Sequence, residues 1–134
     1  MKRSKPHYLV SAALIRRNGR ILISKRPAGS HLSGSWEFPG GKREDGETLE
    51  ECLEREIREE LGVAVRAERF LSRVDHEYET FTISLHLFLC SEPEGEPTPM
   101  GCESVAWVHP EELCRYPMPP ADEELIRLVS KQNL

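Results

Sequence analysis

Leu49, Leu53, Ile57 and Leu61 recur every four residues, and this spacing constrains the chain more than any other feature. On a helix of 3.6 residues per turn it lays one apolar stripe along one face. Thr48 followed by Glu51 three residues later forms a capping-box pattern, and Gly62 stands where a helix C-terminal glycine is expected. The spacing therefore predicts a helix over Thr48 to Leu61. Glu56, Glu59 and Glu60 lie at i, i+3 and i+4 of that helix, clustered within an arc of about 100°, and Glu60 falls near the centre of the leucine stripe. A solvated charged face should lie opposite the apolar stripe, and this one does not. Carboxylates crowded beside a buried surface repel one another, and their ionised forms are costly unless cations neutralise them. Hard oxygen ligands select Mg²⁺, with Mn²⁺ as a substitute, over soft metals. A solvated acidic amphipathic helix is the competing reading of these residues alone.

The rest of the chain reads as short strands and few, separate helices. Tyr8 to Ile15 is an apolar strand, joined through an Asn18-Gly19 turn to a second strand, Arg20 to Lys25. A Pro/Gly/Ser-rich loop covers Pro27 to Ser35, and Trp36 to Gly41 is a short extended piece ending in a glycine pair. Further strands are expected near Val63–Val74, Thr80–Cys90 and Val105–Val108. Ser91 to Gly101 reads as a surface connector. A helical turn at Glu111–Cys114 and a final helix from Ala121 to Lys131 complete the chain. This alternation argues an α+β fold, an α/β/α sandwich with a mixed sheet between helices, forming one domain over residues 1–134.

Composition excludes several function classes. With 38% hydrophobic and 31% charged residues, the balance suits a soluble globular domain. The formal net charge of −5 makes it a poor generic binder of duplex nucleic acid, which needs Lys/Arg contacts to phosphate. Residues 8–15 are far too short a run to span a membrane. No secretory signal precedes the four cysteines and no pair has CxxC spacing, so Cys52, Cys90, Cys102 and Cys114 read as reduced, small buried hydrophobes in a cytoplasmic protein.

The context of the acidic helix decides against the solvated reading. Gly41, five residues, Glu47, seven residues, then Arg55-Glu56-Ile57-Arg58-Glu59-Glu60-Leu61-Gly62-Val63 matches all nine fixed positions of a 23-residue pattern, G-x5-E-x7-R-E-U-x-E-E-x-G-U with U a bulky apolar residue. This resembles the Nudix box. The Trp36–Gly41 lead-in, the order of strands and the Pro119-Pro120-Ala121-Asp122 ending resemble the MutT-like branch, which includes 8-oxo-dGTP diphosphatases and CTP pyrophosphohydrolases. The resemblance spans about residues 7–130. It implies a Mg²⁺-dependent hydrolase that releases pyrophosphate and a nucleoside monophosphate from a small nucleotide substrate, in nucleotide-pool sanitation and hence DNA repair, as a monomer or homodimer. Glu56, Glu59 and Glu60, with the Gly40 carbonyl, would hold the metal. Glu47 and Arg55 would brace the loop against the helix, and Gly41 and Gly62 would serve the backbone.

Two parts of the resemblance are less complete. Gly101 stands where the branch carries a loop glutamate that acts as general base, so Glu103 is the candidate outside the box. Arg26 and His31 match positions that contact the nucleotide, Arg26 as a bidentate phosphate clamp. Phe38 either faces the base or fills the core. Asp122 replaces the asparagine with which the purine-selective prototype reads the base, unless it caps the last helix. An ionised aspartate only accepts hydrogen bonds, which favours a base that presents donors, a cytosine-type base or a purine in a suitable tautomer, and counts against strict 8-oxo-guanine selectivity. Alternatives are another nucleoside-diphosphate-linked substrate, such as a nucleotide sugar or dinucleoside polyphosphate, and a non-catalytic module that binds modified bases.

Overall fold

The computed structural model describes residues 4–130, so the expected helical residue Lys131 lies outside it. Strands are β1 (His7–Leu14), β2 (Arg16–Arg17), β3 (Arg20–Lys25), β4 (Trp36–Glu37), β5 (Gly40–Lys42), β6 (Ala67–Glu77), β7 (Thr82–Cys90) and β8 (Ser104–Val108). Helices are α1 (Leu49–Leu61) and α2 (Pro120–Ser130), with a 3₁₀ turn at Pro110–Arg115. One sheet runs β5-β1-β7-β6 and is mixed, because β1 and β7 are parallel while β5 and β6 pair antiparallel to their neighbours. In the other, β3 pairs with β2, β4 and β8, all antiparallel.

The strand faces divide the core in two. On β1, Ala12 and Leu14 face one cluster, which α2 closes with Ala121, Leu125 and Val129. Ala13 and the following Ile15 face the other, which α1 closes with Leu53, Ile57 and Leu61. β3 divides the same way, with Ile21 and Ile23 on the α2 side and Leu22 on the α1 side. Strands covered on both faces read as continuous apolar runs, which is why β1 was visible in the sequence. The helices thus lie on opposite faces, the expected α/β/α arrangement.

Helix α1 has the expected ends. The Thr48 hydroxyl accepts from the Glu51 N–H at 3.0 Å, and the Glu51 carboxylate accepts from the Thr48 N–H at 2.8 Å. Gly62 closes the helix at φ 69°. Asn18 and Gly19 turn at positive φ, as expected, although the two-residue strand β2 comes between them and β1.

Three expected boundaries move. Val63 and Val65 are buried against α1 without a partner strand, so β6 begins only at Ala67, opposite Cys90. It continues past Val74 to Glu77 because Asp75, His76 and Glu77 pair with Ser84, Ile83 and Thr82 along the sheet edge. The piece over Trp36–Gly41 divides between the sheets: β4 pairs with β3, and β5 crosses to β1. Among the cysteines, Cys52 and Cys90 are buried as expected, whereas Cys102 is half-buried and Cys114 exposed, the latter on the surface 3₁₀ turn.

Candidate active site

The residues singled out in the sequence converge on a cavity of about 310 Å³ bounded by β1, β4, β5, the end of α1 and the start of α2. Arg26, His31, Phe38, Gly40, Gly41, Glu60 and Asp122 line it. Glu56, Glu59 and Glu103 are not among its lining residues. Other lining residues include Glu37, Lys42, Tyr78 and Phe81, which were not singled out in the sequence.

Glu60, the last carboxylate of α1, faces the cavity because it lies nearest the buried stripe. Burial, and after it the neighbouring Glu37 and Glu56 carboxylates, push its carboxyl up to about 8. Burial also raises Glu56, partly offset by Arg55. Glu56 rests against the backbone of Gly41, where an added methyl carbon would stand 2.3 Å from its carboxyl carbon. Glu59 is more exposed.

Arg55 organises this face. Its Nη2 reaches Glu47 Oε1 at 2.9 Å, its Nε reaches the other Glu47 oxygen, and its Nη1 reaches Glu56 at 2.9 Å and Glu59 at 3.1 Å. The guanidinium and the Glu44 N–H hold the Glu47 carboxyl down at about 2. The expected Glu47–Arg55 pair is therefore present as a two-pronged bridge between loop and helix. Among the described residues, no three His, Cys, Asp or Glu side chains are gathered closely enough to ring an ion; Arg55 engages Glu56 and Glu59 instead. The donor chemistry nonetheless fits a hard divalent cation. All the side-chain donors are carboxylates, the one facing the cavity is costly to ionise without a cation, and Gly41 leaves room for another against the backbone.

The opposite wall holds a second charged group. Arg26 donates from Nη1 to both Glu37 oxygens, at 2.9 and 3.2 Å, and from Nε to the His31 carbonyl at 2.6 Å. Burial raises the Glu37 carboxyl even against this pairing. The His31 ring packs edge-on to Tyr78 and Phe81, with centroids 5.4 and 5.1 Å away. Phe38 fills the core, 3% exposed, and also lines the cavity.

Asp122 lines the cavity but does not cap the last helix. It sits inside the first turn of α2 rather than at its cap, and its Oδ2 accepts the Phe38 N–H at 3.1 Å. Burial, with Glu37 nearby, pushes its carboxyl up to about 8. A carboxyl so raised can donate as well as accept when it holds its proton, which widens the base edges it would suit. A carboxyl raised above its unfolded value of about 3.9 contributes stability that is complete below that pH and is lost as pH rises through about 8. Asp122→Asn should therefore flatten part of the decline in unfolding temperature between pH 5 and pH 9 in metal-free protein. A pH slope identical to the parent's would show that Asp122 is ionised throughout.

Glu103 lies apart from the cavity lining. It is exposed, 4.0 Å from Lys25 Nζ, and its N–H donates to the Lys25 carbonyl. Gly101 is the residue that abuts Glu60: its N–H donates to the Glu60 carbonyl at 3.0 Å.

The fold thus sets a carboxylate-bearing helix at the edge of a cavity of small-molecule size. The chain belongs to the NUDIX domain family, whose model matches residues 11–128. It is 38% identical over 117 residues to the CTP pyrophosphohydrolase of Escherichia coli K12, covering 87% of each chain. It is 37% identical over 126 residues to the 8-oxo-dGTP diphosphatase of Haemophilus influenzae, covering 92% of this chain and 93% of that one. The crystal structure of the MutT NUDIX hydrolase from Burkholderia pseudomallei superposes with a TM-score of 0.84 at 30% identity, covering 93% of this chain and 99% of that one. Nudix hydrolases are in general divalent-metal dependent. No described helix is long and apolar enough to cross a membrane.

Proposed function

We propose that the protein is a Mg²⁺-dependent nucleoside triphosphate pyrophosphohydrolase, a single domain over residues 1–134 that acts in the cytoplasm as a monomer or homodimer. Its substrates are oxidised or modified nucleotides such as 8-oxo-dGTP or modified dCTP, which it removes before polymerases use them. One observation carries this reading: the Glu60 carboxylate opens into the same cavity as Phe38 and Asp122, so a polyphosphate at the acidic helix leaves its base beside them. The relatives named for CTP and 8-oxo-dGTP support the same substrate class.

Glu56, Glu59, Glu60 and the Gly40 carbonyl would hold Mg²⁺, with Mn²⁺ as a substitute. A divalent ion there neutralises polyphosphate charge and lowers the pKa of water. The Glu47–Arg55 bridge keeps the loop and helix in register, so the carboxylates share one face. A carboxylate of the box, or Glu103, takes the proton of the attacking water. Arg26 already uses Nε and Nη1 within the protein, and its remaining Nη2 is the atom available to a substrate oxygen. Phe38, Tyr78 and Phe81 offer apolar walls to a base, and Asp122 reads its edge.

Pyrophosphate release from 8-oxo-dGTP, dGTP, CTP, dCTP, 5-methyl-dCTP and 2-oxo-dATP tests this, with ADP-ribose and a diadenosine polyphosphate as controls. Turnover of a modified triphosphate that EDTA abolishes and Mg²⁺ restores is the expected result. Turnover confined to the controls would move the protein to another diphosphate-linked substrate, and no turnover at all to a binding role. Asp122→Asn is expected to reorder the bases within the panel; an unchanged order would confine Asp122 to tying α2 to Phe38.

A further inference from the structure

A second polar hub lies away from the cavity, on Arg17. The turn at Asn18 and Gly19 returns the chain so that Arg17 pairs with Arg20. The Arg17 guanidinium carbon stands 5.1 Å from the centroid of the Trp107 ring. Its Nε donates to Glu92 at 3.0 Å and its Nη1 to Glu96 at 2.8 Å. Nη2 donates to the carbonyls of Pro93 at 2.6 Å and Gly95 at 2.9 Å. A forked, planar cation can hold four such acceptors while stacked on an aromatic ring; a lysine ammonium cannot.

The segment gripped here is the connector between β7 and β8. Its far end lies along the C-terminus of α1, where backbone carbonyls lack partners within the helix. The Thr98 N–H donates to the Leu61 carbonyl at 2.9 Å, and the Met100 and Gly101 N–H groups both donate to the Glu60 carbonyl, at 2.8 and 3.0 Å. Gly101 is packed so closely that an added methyl carbon would stand 3.3 Å from Glu60 Cγ. The connector thus clamps the residue whose carboxylate faces the cavity, and Arg17 anchors the connector.

We propose that Arg17 is a positioning residue for Glu60: by gripping the connector at Glu92–Glu96 it keeps Met100 and Gly101 docked on the end of α1, and so sets the Glu60 carboxylate for divalent-cation binding. The proposal rests on the metal reading above. Coupling is reciprocal, so if docking favours the ion, the ion must favour docking. In the unmodified protein, saturating Mg²⁺ is therefore expected to slow amide hydrogen exchange at Met100 and Gly101. Arg17→Gln and Arg17→Lys should both weaken Mn²⁺ binding, measured by electron paramagnetic resonance, by roughly fivefold to tenfold. They should also lower kcat more than they raise the nucleotide KM. Arg73→Gln, which removes a surface pair with Asp75, should leave Mn²⁺ affinity unchanged. Arg17 variants that melt earlier yet bind Mn²⁺ as tightly as the parent would overturn the proposal, leaving Arg17 a purely structural anchor. If the variants do not fold, exchange in the unmodified protein decides: Mg²⁺ binding without slower exchange at Met100 and Gly101 overturns it. An unmodified protein that binds no Mn²⁺ would overturn the metal reading itself, and this proposal with it.

Discussion

Glu60→Gln is expected to lower kcat/KM by at least ~100-fold while leaving the protein folded. Glutamine keeps the shape of the side chain and removes the charge that the ion requires. The same change relieves a cost in the metal-free protein, because burial and the neighbouring Glu37 and Glu56 already push the Glu60 carboxyl up to about 8. Above that pH the parent must hold an ionised carboxylate in a poorly solvated place, whereas the variant holds a neutral amide. Without metal at pH 9, the variant should therefore unfold at a higher temperature than the parent. Added Mg²⁺ should raise the unfolding temperature of the parent but not of the variant. A folded Glu60→Gln enzyme with full activity would remove Glu60 from the ion site. Glu59→Gln is expected to lose activity similarly, though its more exposed side chain predicts little change in stability.

Gly40→Ala is expected to act on the fold instead. A methyl carbon at Gly40 would stand 1.9 Å from the Ser11 carbonyl oxygen and 2.9 Å from Ala12 Cα. Both are backbone atoms of β1, whose register pairs Ala12 with Gly40, so neither can rotate away. The β1–β5 pairing must open, at a cost of about 3 kcal/mol, or roughly 10 °C in unfolding temperature for a chain of this size. Gly41→Ala makes the contrast. Its methyl would meet the carboxyl end of Glu56, at 2.3 to 2.8 Å, and that flexible end can move. Gly41→Ala should cost less stability and weaken metal dependence through the displaced Glu56. Calorimetry of the two variants side by side checks this; equal destabilisation would mean that the glycine pair serves only the strand.

The elements legible in the sequence are those whose evidence is local. Thr48, Glu51 and Gly62 announce the ends of α1 because caps bond within a few residues, and the Glu47–Arg55 bridge spans only eight. Glu37 was less legible. It lies between Trp36 and Phe38 in an apolar segment, and a carboxylate there could have been suspected of needing a partner. That the partner is Arg26 depends on the pairing of β3 with β4. Tyr78 gave no local signal at all. Val63–Arg66 misled for the converse reason: its alternation is that of a strand, but burial against α1 produces the same pattern without a ladder.

By itself, the sequence determined that an acidic helix with these ends exists, that three of its carboxylates share one arc, and that the chain matches the Nudix pattern. All of these follow from spacing within a few helical turns. Only the tertiary structure decided that Glu60 alone of the three faces the cavity, that Glu37 stands near it, and that Asp122 is tied to Phe38 across 84 residues of chain. Strand register and the seating of each helix on its sheet set those contacts. Burial then changes what the same side chains can do, pushing the Asp122 carboxyl well above that of an exposed aspartate.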